Sequence, residues 1–561
     1  MTSRTGGEIL VASLVAQGAT LAFGVPGESY LAVLDALVDV RDQLRFIICR
    51  NEGGAAYAAE AYGKLTGRPG IAMVTRGPGA SNAAIGIHAA QQDSSPMIVL
   101  VGQVGGDFAD REAFQEIDYR RMYGSIAKWA AQIDRAERIP EYIARAYRTA
   151  MSGRPGPVVL ALPEDMLASR ADCAIAARVE PVAGTVDPRG LAAVHQLLAG
   201  ARAPFVIAGG SRWDVDACAA LAAFAARWKL PVGCAFRHQD LFDNRDPHYA
   251  GDVGIGINPK LAARVRDADV LLVIGERLGE VTTSGYTLLD VPTPANTLVH
   301  VHPSPEELGK VYQPTHAVCA TPRGFLDAFA TYAPPSALPW AAGTATAHAD
   351  FDAWRAPRAV PGAVDLWAIV SWLDEHLPGD AIVASGAGNF ATWMHRAYRY
   401  RGFRTQLAPY VGSMGYGVPA AIAAKLVHPD RVVVSWNGDG CFQMNGQELA
   451  TAMQYQLPIV FVVVDNGMYG TIRMHQERTF PARVSGTTIV NPDFAAWARA
   501  YGAHAETVTT TAEFAPAFTR ALAAGTASLL HLRVDPQALT MGASLDAVRA
   551  QGEAAQRKQR E

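Results

Sequence analysis

Two short segments carry oxygen atoms suited to a hard cation: Asn437-Gly438-Asp439-Gly440-Cys441 and Asp465-Asn466-Gly467-Met468-Tyr469-Gly470. Between them lie a helix-like run, Gln447 to Tyr455, and an apolar strand-like run, Ile459 to Val464. That order puts the Asp439 carboxylate and the Asn466 amide, 27 residues apart, at the ends of two neighbouring strands. Such ligands suit Mg²⁺ or Ca²⁺, and Mg²⁺ commonly completes its octahedron with phosphate oxygens and water. The glycines let backbone N–H groups come close to an anion. A further carboxylate, Glu52 in Arg50-Asn51-Glu52-Gly53-Gly54-Ala55-Ala56, follows the strand-like run Phe46-Cys49 and opens an Ala-rich helix. Thr75 to Asn82 likewise closes a strand and opens a helix. Open α/β sheets gather functional groups at such strand ends. A helix-start carboxylate is also favoured by the helix dipole alone, so the residues by themselves leave both readings of Glu52 open.

These segments need strands that end together. Short apolar runs alternate with Ala-rich helical stretches, which predicts parallel α/β layers. The runs Phe46-Cys49, Ile71-Thr75, Met97-Val101 and Val158-Leu162 belong to a first domain, 1–170. Phe205-Ala208, Val270-Ile274 and Leu298-His302 belong to a central domain, 188–331. A proline-rich linker, 332–363, precedes a third domain, 364–540, which holds the cation segments, and a charged tail, 541–561. The first and third domains look alike in layout. In the centre, Ala208-Gly209-Gly210-Ser211 and Gly251 to Gly256 read as tight turns before they read as a dinucleotide site, since a lone glycine cluster is weak evidence.

Bulk composition narrows the classes. At 561 residues the chain is too long for one core. Half of it is apolar and 18% charged, as in soluble globular proteins. A net charge of −4 supplies no basic field for nucleic acid. No apolar run reaches membrane-spanning length, and the polar start, Met1 to Gly7, lacks a signal-peptide core. Six scattered cysteines without a C-x-x-C read as reduced thiols, hence a cytoplasmic protein.

Taken with Phe23 to Gly27, Arg50 to Tyr62, Gly77 to Asn82, Ala113 to Glu116, Ile126 to Lys128, Gly386 to Asn389, Gly412 to Gly415 and Asn491 to Phe494, the cation segments closely resemble thiamine-diphosphate (ThDP) enzymes of the acetolactate synthase type. Benzaldehyde lyase is a more distant relative. The resemblance spans nearly the whole chain. It implies three doubly wound parallel-sheet domains: pyrimidine-binding, central and diphosphate-binding. It implies Mg²⁺ on Asp439, Asn466 and the Met468 carbonyl. Gly388, Asn389, Gly412, Gly438, Gly440, Cys441, Tyr469 and Gly470 would line the cofactor. Glu52 would hydrogen-bond the aminopyrimidine ring nitrogen, and Met414 would be the apolar wedge beneath the cofactor. Gln115 would serve catalysis, with Gly27, Phe114, Lys128, Arg473 and His475 toward the substrate. Active sites shared between subunits of a homodimer or homotetramer are implied as well.

The implied reaction decarboxylates a 2-keto acid, pyruvate first, and joins the two-carbon unit to a second carbonyl. Plain decarboxylation, 2-hydroxy ketone cleavage, a non-catalytic ThDP-binding homologue and a flavin or nicotinamide oxidoreductase stand as alternatives. Several positions depart from the pattern. Asn51 stands where relatives carry His, and His475 where synthases carry a substrate-selecting Trp. Of the stretches that hold FAD in synthases, Gly275 to Thr283 is kept while Gly254 to Asn258 replaces another, which leaves FAD as an open second cofactor.

Overall fold

The computed structural model describes residues 3–560; Met1, Thr2 and Glu561, at the outer ends of the expected first domain and tail, lie outside the described residues. Three six-stranded sheets, every pairing parallel, are covered by helices on both faces. The expected three-domain α/β architecture is therefore present. Fully apolar runs such as Val270–Ile274, buried at every position, make these strands, as two-sided burial in a parallel sheet requires.

The first sheet runs Arg45–Ile48, Leu21–Gly24, Gly70–Val74, Met97–Gln103, Pro157–Pro163, Trp129–Gln132. The third runs Gln406–Leu407, Ile382–Ser385, Val433–Gly438, Val460–Asp465, Ser528–Arg533, His504–Val508. Numbered within each domain, both follow the spatial order 2-1-3-4-6-5, so the two are topological copies. The central sheet has the order 3-2-1-4-5-6, with Phe205–Ala208 beside Val270–Ile274 at its midpoint. Where strand order reverses, neighbouring connections leave in opposite directions and open a crevice at the strands' carboxyl ends.

The first and third domains share one apolar core. The helices Glu52–Thr66 and Gly417–Val427 pack against each other, and Tyr57, Ala61, Ile87, Tyr416, Ile422 and Phe442 join a single buried cluster. The central domain has its own clusters, around Trp228 and Phe329 on one face and Leu271 and Leu288 on the other. Within 332–363, expected as a linker, Ala341–Trp354 forms a helix. Phe351 packs edge-on against Tyr249, and Thr344 Oγ1 donates to the Lys229 carbonyl at 2.6 Å. The tail is likewise structured: Leu545–Arg560 is a helix laid along Gly470–Thr479, with Leu545 and Val548 against Met474.

Candidate active site

Ile382–Ser385 and Val433–Gly438 flank the reversal point of the third sheet. Their carboxyl ends release Gly386-Ala387-Gly388 and Gly438-Asp439-Gly440, each leading into a helix without a side-chain cap. Two first-turn amides are nonetheless taken locally, Asn389 N by Thr471 Oγ1 (2.9 Å) and Gly440 N by Asp439 (2.8 Å), so an anion would meet the remaining groups of these turns. Asp439, buried at the head of Asp439–Asn445, accepts from Gly440 N (2.8 Å), Gly467 N (2.9 Å) and Asn491 Nδ2 (2.8 Å). Burial is the main cause that pushes its carboxyl up to about 6, while the bonds from Gly440 and Asn491 oppose it. Asp465 accepts from Asn491 Nδ2 at 2.6 Å and pairs with His531 Nε2 at 2.8 Å. Burial would raise Asp465 too, but the His531, Asn491, Asp439 and Gly467 hydrogen bonds hold it below its ordinary value.

A cleft of about 240 Å³ is lined by Gly388, Asn389, Gly412, Met414, Gly438, Asp439, Gly440, Cys441, Asn466, Met468, Tyr469 and Gly470. The whole expected diphosphate half is therefore assembled in one place. A Cβ at Gly438 would meet the Phe390 ring at 2.5 Å and one at Gly440 the Tyr469 ring at 2.7 Å, so only glycine keeps this wall open. Asp439, Asn466 and Met468 bring a carboxylate, an amide oxygen and a main-chain carbonyl to this lining, donor types that suit Mg²⁺; the Asn466 oxygen also accepts from Met468 N at 3.2 Å. The Asn389 side chain is taken up locally, donating to the Leu539 carbonyl (3.1 Å) and accepting from Thr471 Oγ1 (3.0 Å). The Cys441 thiol, raised by burial, accepts from Gly415 N at 3.2 Å and braces the Met414 loop.

That loop is held from the first domain. Asp93 accepts from Tyr410 N (2.9 Å) and Val411 N (3.1 Å), and Lys64 Nζ donates to the Ala408 carbonyl (3.0 Å). The Tyr57 hydroxyl bonds Ser413 Oγ and donates to the Met414 carbonyl (3.3 Å).

The first domain builds a second half-site at its own reversal point. Glu52 begins the helix Glu52–Thr66, which Asn51 caps by accepting from Gly53 N at 2.8 Å. The departure from His at position 51 thus supplies an N-cap. Asn82 Nδ2 donates to Glu52 Oε2 at 2.9 Å, and Gly79 lies against the other carboxylate oxygen. Gly27 abuts Thr75, and Gly77 (φ +49) abuts Gln115, itself left-handed at φ +64. Phe114 is 72% exposed beside them. Glu52 does not line the diphosphate cleft of its own chain.

Two expected substrate residues are engaged elsewhere. Lys128 Nζ caps the helix Ile139–Met151, donating to the carbonyls of Thr149 (2.6 Å) and Ser152 (2.7 Å). Arg473 Nε donates to Glu477 (2.9 Å), whose buried carboxylate also takes two bonds from Arg549 (2.9 and 2.8 Å). His475 is exposed, on the helix face of Thr471 and Ile472, which do line the cleft. Roles for Asn491, His531, Thr471, Tyr57 and Glu448 went unread in the sequence. His531 left a signal there: a polar ring inside the buried strand Ser528–Arg533 needs a partner.

Family models described as thiamine pyrophosphate enzyme N-terminal TPP binding domain, central domain and C-terminal TPP binding domain match residues 4–122, 191–329 and 386–532. The chain is 32% identical over 543 residues to the acetolactate synthase isozyme 2 large subunit of Escherichia coli (strain K12), covering 94% of this chain and 95% of that one. It is 31% identical to the acetolactate synthase large subunit of Corynebacterium glutamicum, over 92% of this chain and 84% of that one. It is 30% identical to a probable acetolactate synthase large subunit of Methanocaldococcus jannaschii, over 96% and 93%.

Proposed function

The chain belongs to the thiamine pyrophosphate enzyme family, among acetolactate synthase large-subunit-like members, and from that premise we propose that it decarboxylates a 2-keto acid, pyruvate first, and ligates the two-carbon unit to a second carbonyl. The observation that carries this reading is the cleft in which Asp439, Asn466 and Met468 meet the glycine wall and Met414. Asp439, Asn466 and the Met468 carbonyl would hold Mg²⁺, and the uncapped turns at Gly388 and Gly438 would take the diphosphate. ThDP, when bound, supplies the carbanion and the electron sink that decarboxylation needs. Glu52 would hold a proton at the aminopyrimidine nitrogen, and Met414 would fix the ring above it. Gly27, Phe114, Gln115 and His475 would border the substrate.

Because Glu52 lies outside its own chain's cleft, the two half-sites are completed by a second copy, in a homodimer or a pair of dimers. Exposed apolar side chains beside each half support this: Ile85 (44%), Phe108 (55%) and Phe114 on one, Met444 (46%), Ile472 (55%) and Val490 (95%) on the other. Mixing inactive Glu52→Gln and Asp439→Ala chains should restore activity, since each mixed dimer holds one intact site; no recovery would refute the shared site. All six cysteines are free of disulfides, which supports a cytoplasmic location.

Product analysis by NMR tests the reaction, with purified protein, ThDP, Mg²⁺ and pyruvate. Acetolactate supports the synthase reading. Acetaldehyde alone replaces it with a decarboxylase, and untouched pyruvate in ThDP-loaded protein means another donor.

FAD stands as an open second cofactor of this reading. A cavity of about 420 Å³ between the three domains is lined by Lys64, Arg212, Arg237 and Arg404, and the Ser211 hydroxyl and Arg237 Nε are buried in it without partners. The lining also holds the carboxylates of Asp93, Asp214 and Asp240, and Lys64 is paired with Asp93 at 2.6 Å, so the positive charge of the lining is offset. A flavin absorption spectrum from purified protein supports FAD; colourless protein that takes up no added FAD removes it.

A further inference from the structure

The carboxylate Glu52 leaves an edge strand. Arg45–Ile48 pairs with Leu21–Gly24 on one side only, and among the described residues no strand covers its other side. An edge strand and the turn after it are free to shift unless something else takes their main-chain groups. Here the third domain of the same chain does so. The Tyr455 hydroxyl accepts from Ile48 N at 2.8 Å and donates to the Phe46 carbonyl at 3.3 Å. Arg50 Nη2 reaches Gln454 Oε1 at 2.6 Å.

The decisive contact is Glu448. Its side chain is fully buried, and one carboxylate oxygen, Oε1, accepts from both Arg50 N and Asn51 N at 2.9 Å. Those are the two residues that immediately precede Glu52. The other oxygen accepts from Thr451 Oγ1 at 2.6 Å. Gly54 makes the approach possible, because a Cβ there would lie 2.6 Å from Glu448 Oε1. Glu448 therefore fixes the last two residues before the helix and the backbone two residues after its start. It touches neither the diphosphate cleft nor the Glu52 side chain.

We propose that Glu448 is a positioning residue for Glu52: by clamping the Arg50–Asn51 turn it aims the Glu52 carboxylate at the cofactor. This rests on the role given to Glu52 above. It also gives the third domain two tasks, holding the diphosphate at its own cleft and aiming the carboxylate that its chain lends to the partner.

The test uses the ThDP- and Mg²⁺-loaded enzyme and reads deuterium exchange at the cofactor's C2 by quench NMR, which reports the step that Glu52 serves. Glu52→Gln should slow exchange by at least about 100-fold, the scale of a lost proton-transfer group. Glu448→Ala should slow exchange and kcat together by about 10- to 100-fold, as loss of an orienting outer partner does, with ThDP affinity within about threefold. Glu448→Gln should stay within about threefold of the parent, because its amide oxygen still accepts both N–H groups and its nitrogen can face Thr451. A merely structural role would lower cofactor affinity or yield of folded protein without slowing exchange in the loaded fraction. Parent-like exchange in loaded Glu448→Ala, beside slow exchange in Glu52→Gln, overturns this inference alone. Parent-like exchange in Glu52→Gln overturns the role of Glu52 and the inference with it. Should Glu448→Ala retain no ThDP, Tyr455→Phe, which frees Ile48 N, takes its place: slower exchange supports the clamp and unchanged exchange refutes it.

Discussion

The turns after Val433–Gly438 and after Phe205–Ala208 start alike, with a buried parallel strand, glycines and a helix, and they end differently. In the third domain the glycines pack directly against the Phe390 and Tyr469 rings in the wall of the cleft, and the helices at Gly388 and Gly438 carry no cap from their own N-cap side chain. In the central domain Gly210 (φ +69) is shut against the Gly275 carbonyl, Gly209 against Glu276, and Trp213 Nε1 donates to the Gly209 carbonyl at 2.8 Å. The following helix, Val215–Trp228, is capped by its own Asp214. One turn opens onto a cleft; the other packs its glycines against a neighbouring strand end. A glycine's neighbours, not its presence, separate a phosphate cradle from a tight turn.

Four changes would break or sharpen that contrast. Asp439→Ala should remove the carboxylate proposed for the metal and lower Mg²⁺-dependent ThDP affinity by more than about 100-fold, since even outer partners cost 10- to 100-fold. Calorimetric titration measures it, and the unfolding midpoint without cofactor should hardly move. Gly210→Ala should do the reverse. A left-handed non-glycine residue costs about 1–2 kcal/mol before any collision with the Gly275 carbonyl, so stability in urea falls while ThDP affinity is kept. If it instead lost ThDP, the central turn would be part of the site.

Asn491→Leu should weaken Mg²⁺ binding by about tenfold, because both Asp439 and Asp465 lose its amide. The smallest effect concerns the tail. Arg549 and Arg473 hold the Glu477 carboxyl down at about 2, with Arg549 the larger cause. An unfolded Glu titrates near 4.3. A depressed folded value stabilises above that pH, and the gain fades as pH falls from about 4.3 toward 2. Limited proteolysis should therefore release the helix Leu545–Arg560 in this window, and Arg549→Ala should release it at neutral pH.

The sequence told most where a residue's task is local. Val270–Ile274 is an unbroken apolar run and became a strand at those very bounds. Glu52, Asp439 and Asn466 stand within a few residues of apolar runs, so strand geometry alone sent them to sheet ends. Tasks set by distant partners stayed hidden. Arg473 has a free guanidinium on paper, but Glu477, a carboxylate shared with the tail's Arg549, claims it. Lys128 looked available until the end of a helix two dozen residues on took its ammonium. Ala341–Trp354 has a weak apolar face amid prolines, and its place on Tyr249 follows only from the folded central domain. Glu448 is one of many acidic residues until its burial against Arg50 and Asn51 is seen.

The core common to the first and third domains also limits how such a chain can be recombined. Glu448 meets Arg50 and Asn51, Tyr57 meets Ser413, and Asp93 meets the Tyr410–Val411 backbone. A hybrid that takes one of these domains from a relative must match every one of those pairs at once. The central domain has clusters of its own, but Arg237, Gln239, Asp240 and Asn244 bond the third domain at Pro409, Gln406, Thr405 and Tyr400, so an exchange there has those pairs to match as well. Inheritance would then treat the outer two domains, far apart in the chain, as a single cassette.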